Sequence, residues 1–146
     1  MINDEILREY DIRGIYGSSF KKNDIISIAD SISSIIIDNK MPKIIIGHDG
    51  RDSSLEIKNL LISSMNNNGV NVIDISLVPT PLCYYATNKL NIPNSIMITG
   101  SHNPQEYNGF KFIINNEPFY GEQIKNLNNI KIKDNPEKIG VLKHVN

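Results

Sequence analysis

Ser95-Ile96-Met97-Ile98-Thr99-Gly100-Ser101-His102-Asn103-Pro104 is the stretch that decides the fold: a short, largely apolar run breaks into a turn of Thr, Gly, Ser, Asn and Pro. A short apolar run bounded by turn residues is the pattern of a buried strand. A polar turn at such a strand's end is where α/β proteins present reactive groups, because the sheet fixes the loop while the loop stays exposed. Ser101 sits at the centre of this turn, with the imidazole of His102 beside it and the ammonium of Lys111 further on.

Outward from this turn, strands and helices alternate. Residues 10–16 read as a first strand, closed by Gly14 and Gly17. Ile25, Ile28, Ala29, Ile32, Ile35 and Ile36 form a helical stripe over 24–38, with Asn23 or Asp24 as its cap. Residues 43–47 are a short β-branched run, a buried strand. Asp52-Ser53-Ser54 caps a second helix, with Leu55, Leu60, Leu61 and Met65 on its buried side and Gly69 at its end. A third strand follows at 70–75, and Pro79-Thr80-Pro81 opens a helix over 82–90. Past the serine turn, 110–114 reads as an antiparallel strand leaving it, 122–130 as a last helix, and 131–146 as an exit segment. Cys83, Tyr84 and Tyr85 read as packing residues.

This alternation predicts an α/β fold, a three-layer αβα sandwich with a mixed, mostly parallel sheet. In such sheets ligands gather at the carboxyl ends of strands. Ser101 follows one such end directly, and the turn Gly47-His48-Asp49-Gly50-Arg51 follows another. The second turn places His48, Asp49 and Asp52 together, but its spacing fits neither a P-loop nor an EF-hand. It reads as structural, with Arg51 pairing with carboxylates and Ser53 capping the helix.

The 146 residues are 40% hydrophobic and 21% charged, ordinary for a globular chain of one-domain size. A formal net charge of −1 gives no reason to expect nucleic acid or an anionic membrane as a partner. No apolar run approaches bilayer-spanning length. The acidic N-terminus lacks a signal-peptide pattern, and the single Cys83 has no internal disulfide partner. Together these point to a cytoplasmic protein.

The stretch Ile98–Pro104, followed by Tyr107-Asn108-Gly109-Phe110-Lys111, closely resembles the phosphoserine loop of the α-D-phosphohexomutases, the family of phosphoglucomutase and phosphomannomutase. Arg8-Glu9-Tyr10-Asp11-Ile12-Arg13-Gly14 resembles the same family's N-terminal signature. The resemblance implies that Ser101 carries a phosphoryl group and exchanges it with hexose phosphates. Mannose and glucose 1- and 6-phosphates would interconvert through a bisphosphate. It matches Lys111 to the lysine beside the phosphoserine, sets Arg13 against the reacting centre, and makes Tyr10 and His102 part of the same pocket. It further implies Mg²⁺ held through the Ser101 phosphate, with its other ligands in a second domain, and glucose 1,6-bisphosphate as activator.

Only the first of the family's four domains is covered, with 1–135 as the phosphoserine domain and 136–146 leading to a second. The remaining domains of the polypeptide become expected partners, and the fragment alone is expected to be nearly inert. Tyr10-Asp11-Ile12-Arg13-Gly14 and Thr99–Pro104 resemble the bacterial phosphomannomutase/phosphoglucomutase branch more than the phosphoglucosamine mutases.

Taken from the residues alone, other roles stay open. Ser101 serves equally to cap a turn, Arg13 to bridge Asp11 or Glu9, Lys111 as an exposed strand lysine, and His102 to shape its loop. Guanidinium is a clamp for phosphate and a poor proton acceptor, so Arg13 suits charge stabilisation and Lys111 proton transfer. A free-standing phosphosugar-binding module and domain 1 of a phosphoglucosamine mutase are the rival readings of the whole chain.

Overall fold

Three consecutive isoleucines, Ile44, Ile45 and Ile46, are fully buried, which requires cover on both faces of the strand that holds them. The computed structural model, which describes residues 1–133 and 139–145, supplies that cover. Its elements run β1 (Ile12–Ile15), α1 (Lys22–Asp38), β2 (Lys43–His48), α2 (Ser54–Asn67), β3 (Asn71–Leu77) and α3 (Thr80–Lys89). They continue with β4 (Ser95–Ile98), β5 (Tyr107–Ile114), β6 (Glu117–Phe119), α4 (Glu122–Lys125) and β7 (Leu142–His144). The sheet order is β1-β5-β4-β2-β3-β7, with β6 paired to β5. Only β5 runs against the other strands, so the sheet is mixed and mostly parallel.

One face carries α1 and α2. Ile25, Ile28, Ile32 and Ile36 of α1 and Ile57, Leu61 and Met65 of α2 meet Ile44, Ile46, Ile96, Ile98, Phe110 and Phe112 in the main core. Each fully buried Ile contributes about 1.5–3 kcal/mol, so the isoleucine stripe dominates this layer. The opposite face is covered by α3, whose Cys83 packs with Ile45, Ile75, Ile92 and Met97. The three-layer αβα sandwich expected from the alternation is the observed architecture.

Several local expectations are corrected. Tyr10 is not in the first strand: the Arg8 N–H bonds the Asp11 carbonyl at 3.0 Å, closing a turn, and β1 starts at Ile12. α1 begins at Lys22, and Asp24 acts from inside its first turn, accepting from the backbone N–H of Lys21 and Asn3. Ser53 precedes α2 without a side-chain cap bond. Leu55 is exposed because the buried stripe of α2 runs through Ile57, Leu61 and Met65 instead. Tyr84 and Tyr85 are exposed, whereas Cys83 is buried.

A β-hairpin outside the expected elements joins β5 to β6 through Asn115 and Asn116, both at positive φ (56° and 66°). The last helix is only one turn, followed by a 3-10 turn at Asn126–Asn129. The expected boundary between 135 and 136 lies outside the described residues. Within the expected exit segment, β7 lies parallel to β3 as an edge strand of the sheet. It is tied there by Val141 N–H to Asn71 Oδ1 (2.9 Å) and Gly140 N–H to the Asn66 carbonyl (2.7 Å). Among the described residues no helix is long and apolar enough to cross a membrane.

Candidate active site

β4 ends at Ile98, and the chain then turns through Thr99–Glu106 before returning antiparallel as β5. The loop's polar backbone needs partners, and one side chain supplies most of them. Arg51 Nη2 donates to the carbonyls of Ser101 (2.9 Å) and Asn103 (2.8 Å), and Nη1 to those of Tyr107 (3.1 Å) and Pro104. Its Nε pairs with Asp49 Oδ2 at 3.1 Å. The guanidinium thus fills its donor fork from behind the loop, and its side chain is only 10% exposed. Gly100 is required here because a Cβ at that position would lie 2.3 Å from Arg51 Cζ.

Asp49 anchors the other side of this clamp. Its Oδ1 accepts from Ser54 Oγ (2.7 Å), and its Oδ2 from the Gly100 N–H (3.1 Å). Burial pushes the carboxyl upward, but hydrogen bonds from Ser54, Gly100, Arg51 and Thr99 outweigh it and hold the group below the usual carboxylate value. Asn108 at the start of β5 adds a second tie, donating to Ser53 Oγ (2.9 Å) and Ser54 Oγ (3.0 Å).

Ser101 lies half-buried on this frame with φ 56°, a left-handed conformation costing a non-glycine residue about 1–2 kcal/mol. Its N–H bonds Thr99 Oγ1 at 3.0 Å and its carbonyl receives Arg51, so its bonds are backbone bonds. Among the described residues its hydroxyl has no protein partner. A strained serine, fixed by its backbone with the hydroxyl left over, is the arrangement of a presented nucleophile.

Arg13 is the second residue of β1, not its end, yet the register still brings it beside the loop. It pairs with Gly109 of β5, whose carbonyl accepts from the Thr99 N–H on the other side (3.0 Å). Its Nη2 forms a 2.7 Å ion pair with the buried Asp11, and its Nη1 reaches Asn103 Oδ1 of the serine loop at 3.5 Å. The guanidinium therefore spans β1 and the loop, with its side chain 30% exposed. The bridge to Asp11 that the sequence left open is present, and it orients the group.

Lys111 occupies the alternate face of β5 from Phe110 and Phe112, the same face as Gly109 and Arg13. It is half-buried in a cavity of about 460 Å³ that it shares with Tyr10, Tyr84, Phe112, Pro118, Phe119 and Tyr120. Tyr10 is exposed, and His102 projects from the loop, also exposed. Ser101, Arg13 and His102 are thus gathered at one loop, while Lys111 and Tyr10 line a neighbouring cavity on the same side of the sheet.

Sequence reading missed the reach of Arg51. It foresaw a partner in nearby carboxylates, which Asp49 is, but not the four loop carbonyls. It also missed Asn103 facing Arg13, and Tyr120. Among the described residues no group of three or more His, Cys, Asp or Glu is placed to hold a metal ion. Asp49 and Asp11 are engaged by the clamp and by Arg13.

Residues 4–137 match the family model described as phosphoglucomutase/phosphomannomutase, alpha/beta/alpha domain I. A phosphomannomutase/phosphoglucomutase of Pseudomonas syringae pv. tomato is 39% identical over 135 residues, 92% of this chain and 29% of that protein. A phosphoglucomutase of Neisseria meningitidis serogroup B is 35% identical over 130 residues, 89% of this chain and 28% of that one. The crystal structure of a phosphoglucomutase/phosphomannomutase family protein from Burkholderia thailandensis superposes with a TM-score of 0.88 at 29% identity. That match covers 100% of this chain and 34% of the other. The chain thus spans under a third of the length of these curated relatives.

Proposed function

The chain belongs to the phosphoglucomutase/phosphomannomutase family as its α/β/α domain I, and on that premise we propose that it is the phosphoserine-bearing N-terminal domain of a phosphohexomutase. The complete enzyme interconverts hexose 1-phosphates and hexose 6-phosphates of mannose and glucose. The observation that carries this reading is Ser101: held in a left-handed conformation by backbone bonds, clamped from behind by Arg51, and free at its hydroxyl.

In the proposed cycle, the Ser101 Oγ–P bond breaks as a P–O bond forms to the free hydroxyl of a hexose 1-phosphate. The Lys111 ammonium gives a proton to the departing Ser101 Oγ and takes the hydroxyl's proton in its place, so the lysine ends as it began. Arg13 stabilises the charge that develops on Ser101 Oγ, and Asp11 and Asn103 hold it in place. The resulting bisphosphate reorients, its other phosphate returns to Ser101, and the proton goes back to the oxygen released. Phosphoryl transfer depends chiefly on positioning and charge, which suits a site whose frame is fixed before substrate arrives. His102, beside the phosphoryl group, adds a hydrogen-bond donor, and Tyr10 shapes the sugar pocket.

In this reading Mg²⁺ would be held through the Ser101 phosphate, with its other ligands in the remaining domains, where it would offset the charge of the phosphoryl group. Mg²⁺ belongs to the complete polypeptide in this reading, and no step above depends on it. Glucose 1,6-bisphosphate would prime Ser101, a cytoplasmic location goes with such substrates, and this domain by itself should be nearly inert.

Replacing Ser101 by Ala in the complete polypeptide tests the assignment. Turnover of mannose 1-phosphate should fall by roughly a thousandfold or more while the melting temperature holds. Turnover at the unsubstituted rate would overturn it.

A further inference from the structure

Tyr10 is 75% exposed, an unusual position for a large aromatic side chain expected to shape a pocket. Exposure alone would leave its ring to sample several rotamers. The ring instead stacks on Tyr120, with centroids 6.1 Å apart and planes inclined by 25°. Tyr120 follows β6 directly, more than a hundred residues along the chain, and sequence reading gave no hint of the pairing.

The contact is one of three at the same place. The Gly121 N–H donates to the Glu9 carbonyl at 2.6 Å, and Lys125 Nζ pairs with Glu9 Oε2 at 3.2 Å. Gly121 sits at φ 60°, which lets the chain turn tightly from Tyr120 into α4. The segment 120–125 is therefore a brace for the turn 8–11. It holds Glu9 and Tyr10, and the cavity it helps wall contains Lys111.

We infer that Tyr120 is a positioning residue for the sugar, acting by holding the Tyr10 ring beside Lys111 before substrate binds. The inference rests on the phosphohexomutase reading of the preceding section. Its physical basis is preorganisation: a ring already fixed loses less freedom on binding, and that gain appears in affinity. Tyr10 keeps its hydroxyl for sugar hydroxyls, while the stacked face is held by Tyr120. Chemistry at Ser101, framed by Arg51 on the other side, should be little affected.

The test is steady-state kinetics of the complete polypeptide with mannose 1-phosphate, comparing Tyr120→Ala, Tyr120→Phe and the unsubstituted enzyme. An aromatic stack of this kind corresponds to a change of about three- to tenfold. Tyr120→Ala should raise KM by that factor with kcat within about twofold, and Tyr120→Phe, which keeps the ring, should restore KM. Melting temperatures measured alongside separate positioning from folding, since Tyr120 is half exposed. An unchanged KM in Tyr120→Ala, or a loss confined to kcat, overturns the inference while leaving the phosphohexomutase reading intact. Absence of turnover in the unsubstituted enzyme overturns the reading itself and this inference with it.

Discussion

The two loops that gather the candidate chemistry are held in opposite ways. The serine loop rests on Arg51, one-tenth exposed, through four carbonyl bonds and an ion pair to Asp49. Beyond its own Arg8–Asp11 bond and the Asp11–Arg13 pair, the Tyr10 turn is braced from outside by an exposed ring stack, an exposed Glu9–Lys125 pair and one backbone bond from Gly121. Several bonds to one charged, little-exposed donor are each worth more than exposed pairs and leave costly unpaired groups when broken. On the proposed reading both sides are set before substrate arrives: the side that carries the phosphoryl group by a deep clamp, and the side that meets the sugar by a lighter, exposed brace.

The largest expected effect comes from removing the clamp. Arg51→Met should destabilise the domain by about 3 kcal/mol, lowering the melting temperature by roughly 6–12 °C. Arg51→Lys should recover less than half of that, because an ammonium lacks the fork that reaches several carbonyls. A shift under about 2 °C for Arg51→Met would break the comparison between the loops. Gly100→Ala comes next, at about 2 kcal/mol, because its new methyl meets the guanidinium. In an Arg51→Met background the same substitution should cost much less, and a double-mutant cycle reads that coupling directly.

Asp49 sharpens the comparison through pH. Its carboxyl is held below its ordinary value of 3.8, so the stability it adds is fully present above that pH. That stability is lost as pH falls from 3.8 through the lowered folded-state value. Denaturant titrations from pH 6 to pH 2 should show a shallower acid decline in Asp49→Asn than in the unsubstituted domain; equal slopes would contradict it. The smallest effect belongs to the other loop: Lys125→Ala should cost under about 1 kcal/mol, and the cost should vanish in molar salt.

Much of this arrangement was legible in sequence. The isoleucine stripe of α1, the run Ile44–Ile46 and the strand ending at Ile98 gave the layers, because apolar periodicity reports burial directly. The resemblance pointed to Ser101, Arg13 and Lys111 as candidates, and the register of β1 on β5 brings the arginine to the serine loop. What escaped was set by tertiary contact. Arg51 lies between Asp49 and Asp52, so local charge hid its reach to carbonyls fifty residues away. Leu55 looked like core by type, and only packing against the sheet decides which stripe of α2 faces inward. The Asn115-Asn116 hairpin has its signal in turn chemistry, since asparagine tolerates the positive φ such a turn needs. The Tyr10–Tyr120 stack joins two segments with no shared periodicity, and nothing local announces it.

The central claim is that the clamped loop presents Ser101 for phosphorylation. Its most direct test is the peptide-mapped intact mass of the complete polypeptide after incubation with glucose 1,6-bisphosphate and Mg²⁺. The account predicts one added phosphate, located on Ser101 and absent from Ser101→Ala. A protein that stays unmodified, or that carries its phosphate on another residue, would contradict it.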